Sequence, residues 1–407
     1  MSFSAVKLAA GPLPLRVLTL FAAGMVLAVS DPAQMLASIR RFWRLLLVVT
    51  LAAVLASIVS IAAGTPGATL VTQLIEIHFQ AIIGVMVAGT LALRLGVRAV
   101  TVALLIGFAI TGIVAIAQAL GVDPAWQARA FMGALTNDPP ITRMPYETRE
   151  RAMGMSFSPV VFATQACLIL ALLLALRLAR PDEGKRFDWW VLAFCLIIAI
   201  FCLATGNRSP LLGIAIFLGT YLAFTKPRAS LVLVPAFLAL ALVAEPIIEN
   251  VQETGVRAVK ADSSSENRGT LRQFGILLLL DRPIGYGLDF NSTRYAEAHI
   301  SALKYESSPY AIRLWTLHNY YLMALCKYGL FILLLIPFVM PRSGRQLRAW
   351  WAFVPYMVHI FYHNDGPLQG DFIIFFILPL TMLLSADTEA PPRRRRVRKG
   401  SLEPAAA

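Results

Sequence analysis

The sequence predicts an all-α fold: a polytopic transmembrane helix bundle of about 11–12 spans with one large periplasmic loop that carries an amphipathic helix. Three observations lead there. Of the 407 residues, 58% are hydrophobic and 14% charged, against nearer half and a quarter in soluble globular proteins. The mean hydropathy is +0.68. Apolar windows long enough to cross a hydrocarbon core of ~30 Å recur along the chain. The net charge of +13 sits in short connectors between those windows, the pattern of cationic loops kept on the cytoplasmic side. Nucleic acid is therefore not an expected partner, whereas membrane lipid is.

Spans are expected near 13–30, 45–63, 70–93, 99–120, 156–177, 188–204, 210–225, 229–245, 318–340, 349–363 and 371–386. The connectors alternate. One set, including "RRFWR" (40–44), "RLGVR" (94–98), "RLARPDEGKR" (177–186) and "RSGRQLR" (342–348), is basic. The other holds "GTPG" (64–67), 121–155, "TGNRS" (205–209), 246–317 and "NDGPLQG" (364–370). The short-loop bias puts the first set and the C-terminus inside the cell. The resulting division is an N-terminal bundle of about eight spans (1–245), a periplasmic loop domain (246–317), C-terminal spans (318–386), and a disordered basic tail (387–407) against anionic headgroups. An even span count follows if residues 11–40 hold two short segments. A cleaved signal peptide is not expected.

Cys167, Cys195, Cys202 and Cys326 all fall within apolar runs and read as small buried hydrophobes. Cys195 and Cys202 lie roughly 10 Å apart along a helix, too far for a disulfide. In the large loop, "SSSENRGTLRQFGILLLLDRPIGYGLDF" (263–290) reads as a capped helix followed by a Pro/Gly turn. Ser264 or Ser265 can cap it, and Leu271, Phe274 and Leu278 recur at helical spacing. Its apolar run is too short to span and is expected at the membrane interface.

Basic residues on the outer side run against the bias, and each asks for a reason. In "TGNRSPLLG", Ser209 and Pro210 suit an N-cap and a first helical position. Arg208 beside that helix start would make an anion site with the backbone N–H groups; interfacial snorkelling is the alternative. Arg268 and Arg272 lie one turn apart and share a face, which a merely solvated helix face would equally explain. His318 and Asn319 open the stretch "HNYYLMALCKYG" at the outer rim of a span. A histidine there can take a proton from a hydroxyl near neutral pH, or simply contact a headgroup.

"TGNRSPLLG", "ENRGTLRQFGILLLLDRPIGYG" and "HNYYLMALCKYG", in this order, resemble the O-antigen ligase/polymerase family of bacterial membrane glycosyltransferases. His318, Asn319 and Gly329 match the ligase pattern of histidine, Asn/Ser/Gln, nine residues and Gly-x-x-Gly. Ile332 replaces its second glycine, and Lys327 stands where the family commonly has an acidic residue. The resemblance implies transfer of a glycan from undecaprenyl diphosphate to an acceptor hydroxyl on the outer face of the bacterial inner membrane, with inversion. The acceptor would be lipid A-core in a ligase, or a growing glycan in an O-antigen or exopolysaccharide polymerase. His318 would be the general base and Arg268 its catalytic partner; Arg208, Arg272, Asn319 and Asn207 would bind substrate. No metal or other cofactor is expected, and no Asp-x-Asp pair occurs.

Two further features admit other readings. His359 and His363 stand at i, i+4, a spacing that serves zinc sites but here lacks a third ligand; a hydrogen-bonded rim or a sugar contact is favoured. Glu76 and His78 lie inside a span, two residues apart on different faces. They are expected to make inter-helix hydrogen bonds rather than a relay. A transporter or flippase would use them as a coupling site. The absence of paired broken helices and the arginine-bearing loop count against it.

Overall fold

A computed structural model describes residues 15–135, 151–156, 158–179, 187–226, 264–364, 366–367 and 373–385. The expected span 229–245, the segments 136–150 and 246–263, and the tail 387–407 lie outside the described residues. So do the side chains of Ser264 and Ser265, the expected caps.

Among the described residues the chain is helical and without strands. Helix α1 covers Leu15–Ser30, α2 Pro32–Ala62 and α3 Gly67–Leu74; α3 continues through a π-turn, Ile75–Phe79, into α4, Gln80–Leu95. Then follow α5 (Val97–Ala119), α6 (Asp123–Leu135), α7 (Pro159–Leu178), α8 (Trp189–Ala204) and α9 (Ser209–Thr225). Helix α10 is Ser264–Asp281. Near the C-terminus come α11 (Tyr320–Tyr328), α12 (Gly344–Trp351), α13 (Val354–Phe361) and α14 (Ile373–Ser385).

Among the described residues four helices are long and apolar enough to cross a membrane: Pro32–Ala62, Gly67–Leu95, Val97–Ala119 and Pro159–Leu178. A fifth span exists if the bent pair Tyr320–Tyr328 and Leu330–Val339 is one unit. The architecture is thus an all-α polytopic bundle, with fewer full-length spans among the described residues than the eleven or twelve expected from hydropathy. Helices α1, α8 and α9 are apolar but shorter; sixteen residues rise only about 24 Å. The expected straight spans 318–340 and 349–363 are both broken. Pro355 opens α13 after a break behind α12, where a ring without an N–H is tolerated and a helix interior would not accept it.

α7 is the axis of the bundle. It is apolar all round, and 78% of its central window is buried, as expected of a helix enclosed by others. One face joins α2, α4, α11, α13 and α14 in a core that includes Phe42, Leu168, Leu172, Tyr328 and Tyr356. The other packs on α5, α8 and α9 through Phe162, Leu170, Cys195, Cys202 and Phe217. All four cysteines are buried. By contrast α5 buries 28% of its window and α2 33%, which leaves rows such as Ile106, Ile110 and Ile113 outward, as lipid-facing helices require.

The segment 264–319 forms a small core together with α11. Leu271, Phe274 and Leu278, the face expected from spacing, are buried against Tyr286, Ala296, Leu303, Ile312, Leu317, Met323 and Cys326. Gly275 lets α10 approach closely: a Cβ there would stand 3.1 Å from Leu322 and 3.3 Å from Leu317.

The glycines of "PIGYG" and "KYG" explain the 105° bend after α11. Gly329 has φ +74°, and a Cβ on it would lie 2.4 Å from the Ile284 carbonyl oxygen. Gly285 has φ +94°, and a Cβ on it would lie 2.6 Å from the Gly329 nitrogen. The two backbones are joined by Tyr286 N–H to Cys326 O (2.7 Å), Gly287 N–H to Lys327 O (3.1 Å) and Leu330 N–H to Pro283 O (2.8 Å). The carbonyls freed where the helix breaks are thereby satisfied within the protein, which a bilayer demands.

Candidate active site

The site is assembled at the end of the bundle where α10 meets α11. Its first part is a short extended stretch, Trp315–Asn319, before α11. Ser292 Oγ receives the Leu317 N–H at 3.2 Å, and Asn364 Nδ2 donates to Thr316 Oγ1 at 3.2 Å. Asn319 is the N-cap of α11, its Oδ1 accepting from Leu322 N–H at 3.1 Å. The stretch is therefore pinned at three points.

His318 sits on it half-buried. Its Nδ1 lies 2.7 Å from the Thr316 carbonyl oxygen. A carbonyl only accepts, so Nδ1 carries the proton and the neutral ring presents Nε2 as a lone pair. Burial lowers the imidazole below its ordinary value; the Thr316 hydrogen bond pulls it partly back, and the positive charge of Arg268 lowers it again. The ring is therefore a neutral base at pH 7 with its tautomer set.

Arg268 lies half-buried on the first turns of α10. Its charge reaches three imidazoles, those of His318, His359 and His363. Arg272, one turn further on, is exposed, and the electrostatic links to the histidines run through Arg268. The two arginines lie one turn apart as expected; the earlier is half-buried and within electrostatic reach of the three histidines, and the later is exposed.

Around Arg208 the structure differs from expectation. Arg208 itself is the N-cap residue of α9, Ser209 is the first helical residue, and no side chain caps the helix. Arg208 is exposed. Ser209 faces inward instead, with its hydroxyl 2.9 Å from His359 Nδ1 and 3.1 Å from His363 Nε2. Packing explains the turn: a Cβ on Gly213 would come within 2.6 Å of Pro355 Cα, so α9 and α13 touch backbone to backbone. One helical turn from that contact, Ser209 meets His359.

Asn207 is not open to a ligand through its amide. It is 3% exposed, its Nδ2 donates to Pro159 O (2.9 Å) and Thr205 Oγ1 (2.9 Å), and its Oδ1 accepts from Arg151. Its part is to hold the loop that carries Arg208.

Arg151 escaped the sequence reading. It donates to Thr205 O (3.1 Å), Gly206 O (2.9 Å) and Asn207 Oδ1 (2.9 Å), and its charge is felt at His363. A polar scaffold delivers it there. Gln118 Oε1 accepts from Met153 N–H and Gly154 N–H (2.9 and 2.8 Å), and Arg129, 1% exposed, donates to Ser156 O at 2.8 Å. The one available signal was the placement of Arg151 on the outer side, against the inside bias.

The His359–His363 pair is engaged by hydroxyls: Thr164 Oγ1 lies 3.0 Å from His359 Nε2, beside the two contacts of Ser209. This accords with the expected hydrogen-bonded rim. Among the described residues no group of three metal-ligating side chains gathers. Away from the site, His78 Nε2 is 3.1 Å from the Tyr328 hydroxyl, the inter-helix contact expected of it.

The arrangement offers a neutral base, a guanidinium within electrostatic reach of it, and an imidazole pair against a helix start. No curated protein matches the chain in sequence. Residues 192–336, which include Arg208, α10, His318 and the bend at Gly329, match the family model described as O-antigen ligase. Through that segment, residues 192–336, the chain is similar to the O-antigen ligase/polymerase family of membrane glycan ligases and polymerases.

Proposed function

We propose that the protein is a metal-independent, inverting glycosyltransferase that moves a glycan from undecaprenyl diphosphate to an acceptor hydroxyl at the periplasmic face of the bacterial inner membrane. The acceptor on this reading is lipid A-core, which makes the protein an O-antigen ligase. The observation that carries the proposal is His318 itself, held by the Thr316 carbonyl with Nε2 left as a lone pair, within electrostatic reach of Arg268.

The steps follow from that arrangement. The acceptor hydroxyl gives its proton to His318 Nε2 as its oxygen bonds to the anomeric carbon. The bond from that carbon to the diphosphate oxygen breaks, and the diphosphate leaves with the electron pair. Arg268, with Arg208 at the mouth of α9, takes up the growing negative charge in place of a metal ion. Arg272 stands at the exposed edge, where it would meet the outer phosphate. Asn319 holds the start of α11, and with it His318, in position; Asn207 does the same for Arg208. A polymerase, with a growing glycan as acceptor, would use the same donor chemistry, and the Lys327 and Ile332 departures from the ligase pattern favour keeping it as the second reading.

The test is release of undecaprenyl diphosphate from a lipid-linked glycan by the purified protein. Release is expected only when acceptor is added. Release without acceptor, or movement of the lipid across liposomes with no transfer, contradicts the proposal.

A further inference from the structure

The hydrogen bonds behind His363 have a direction that can be read from their end. Thr164 Oγ1 donates to the Val160 carbonyl at 3.0 Å. A hydroxyl has one proton, so toward His359 Nε2, 3.0 Å away, Thr164 accepts and the imidazole donates. His359 Nδ1 is then a lone pair, and Ser209 Oγ donates to it at 2.9 Å. The Ser209 proton is spent in turn, so His363 Nε2 is the donor to Ser209 at 3.1 Å. His363 thus carries its ring proton on Nε2, which leaves Nδ1 as a lone pair. A second proton there would add a cation to a cluster that already feels Arg268 and Arg151.

The next residue, Asn364, bonds Thr316 at 3.2 Å, in the same short stretch that carries His318, and His363 lies within electrostatic reach of His318. A lone pair cannot accept from a phosphate oxygen, which has no hydrogen to give; its partner must be a donor. The site accordingly has two chemically distinct sides, guanidinium groups for the diphosphate and an imidazole acceptor for a hydroxyl. We propose that His363 is a further substrate-binding residue, whose Nδ1 accepts a hydrogen bond from a hydroxyl of the incoming acceptor sugar and so orients that sugar toward His318. The inference rests on the glycosyl-transfer reading.

Two substitutions separate the two ring nitrogens. In His363→Asn the side-chain oxygen takes roughly the place of Nδ1, whereas in His363→Gln the amide N–H reaches the place of Nε2 and keeps the bond to Ser209. The full-length protein in detergent is assayed with a polyprenyl-diphosphate-linked glycan as donor, and with lipid A-core or a second lipid-linked glycan as acceptor. His363→Gln is expected to raise the acceptor KM about 10- to 100-fold, the range for one lost hydrogen bond, with the donor KM within about twofold. His363→Asn should stay within a fewfold of wild type. The reverse order, equal losses in both, an unchanged acceptor KM, or a rise confined to the donor KM overturns the assignment and makes the residue a structural strut. Should His363→Gln not fold, Ser209→Ala frees the ring to exchange its tautomers; an acceptor KM that does not rise then overturns it. A wild-type protein without transfer activity defeats the underlying reading, whereas an active wild type with indifferent His363 variants defeats this inference alone.

Discussion

His318 and His78 are both partly or wholly enclosed histidines, yet they are built for opposite ends. His78 is fully buried in the membrane helix pair α3–α4, with its Nε2 against the Tyr328 hydroxyl and the two rings edge to face at 5.8 Å. It lies within a π-turn, an insertion that helices rarely carry without a use for it. Its Nδ1 has no hydrogen-bond partner. His318 lies outside any span, held by one backbone carbonyl, with its second nitrogen uncommitted and a guanidinium nearby. The lesson is that burial of a histidine is no measure of its chemistry. What separates a packing histidine from a base is whether the free nitrogen faces a place where a substrate can stand.

The comparison breaks first at His318. His318→Ala is expected to lower turnover by about 10²–10⁴-fold, the range for a lost general base, with the thermal unfolding midpoint little changed; retention of turnover removes the assignment. Arg268→Ala is next, with an expected loss of about 10²–10³-fold and a weaker donor KM. Arg268→Lys should recover only part, since an ammonium cannot make the two-pronged contact to phosphate. Arg272→Ala, on the exposed side of α10, should cost less than tenfold, and equal effects of the two arginines would show that α10 is turned differently.

The bend supplies a test of the opposite kind, in stability. Gly329→Ala places a methyl group within 2.4 Å of the Ile284 carbonyl oxygen at φ +74°. A loss of about 2–4 kcal/mol is expected, with activity falling only in step with the folded fraction. Tyr328→Phe leaves a second His78 nitrogen unpartnered and should cost about 1–3 kcal/mol, with residual turnover within a fewfold of wild type. A specific loss of turnover in folded protein would move His78 to the chemical side of the comparison.

The smallest effect is in pH. Because burial and Arg268 lower His318, the base form persists below the ordinary imidazole value of about 6.5. The acid limb of kcat/KM should therefore lie below pH 6.5 and move up toward it in Arg268→Ala. For stability the sign is the same: a group depressed in the folded state favours folding above its unfolded value and loses that contribution as the pH falls through 6.5 toward the folded value. An acid limb above 6.5 contradicts the placement of His318.

How much of this could be read in advance differs by element. The buried face of α10 was legible because Leu271, Phe274 and Leu278 repeat at helical spacing, and burial followed the repeat. The bend after α11 was not. "YYLMALCKYGLFILLLIPFVM" is apolar throughout, and hydropathy cannot distinguish a straight span from one folded at Gly329 against a loop 40-odd residues earlier in the chain. Helix α6 and Arg151 were hidden for a related reason: what places Arg151 is Gln118 and Arg129, two polar residues whose partners are backbone groups of a distant segment.

From residue order alone came the apolar character of the long helices, the helical class, the existence of helix α10 and the motifs that resemble a known family, because apolar length and helical spacing are local properties of the chain. Tertiary structure alone half-buried Arg268 and left Arg272 exposed, turned Ser209 inward to His359 and His363, and tied Asn207 into a loop. Each of those outcomes depends on which backbones can approach closely, as at Gly213 and Gly329, and close approach is a relation between segments that no single segment encodes.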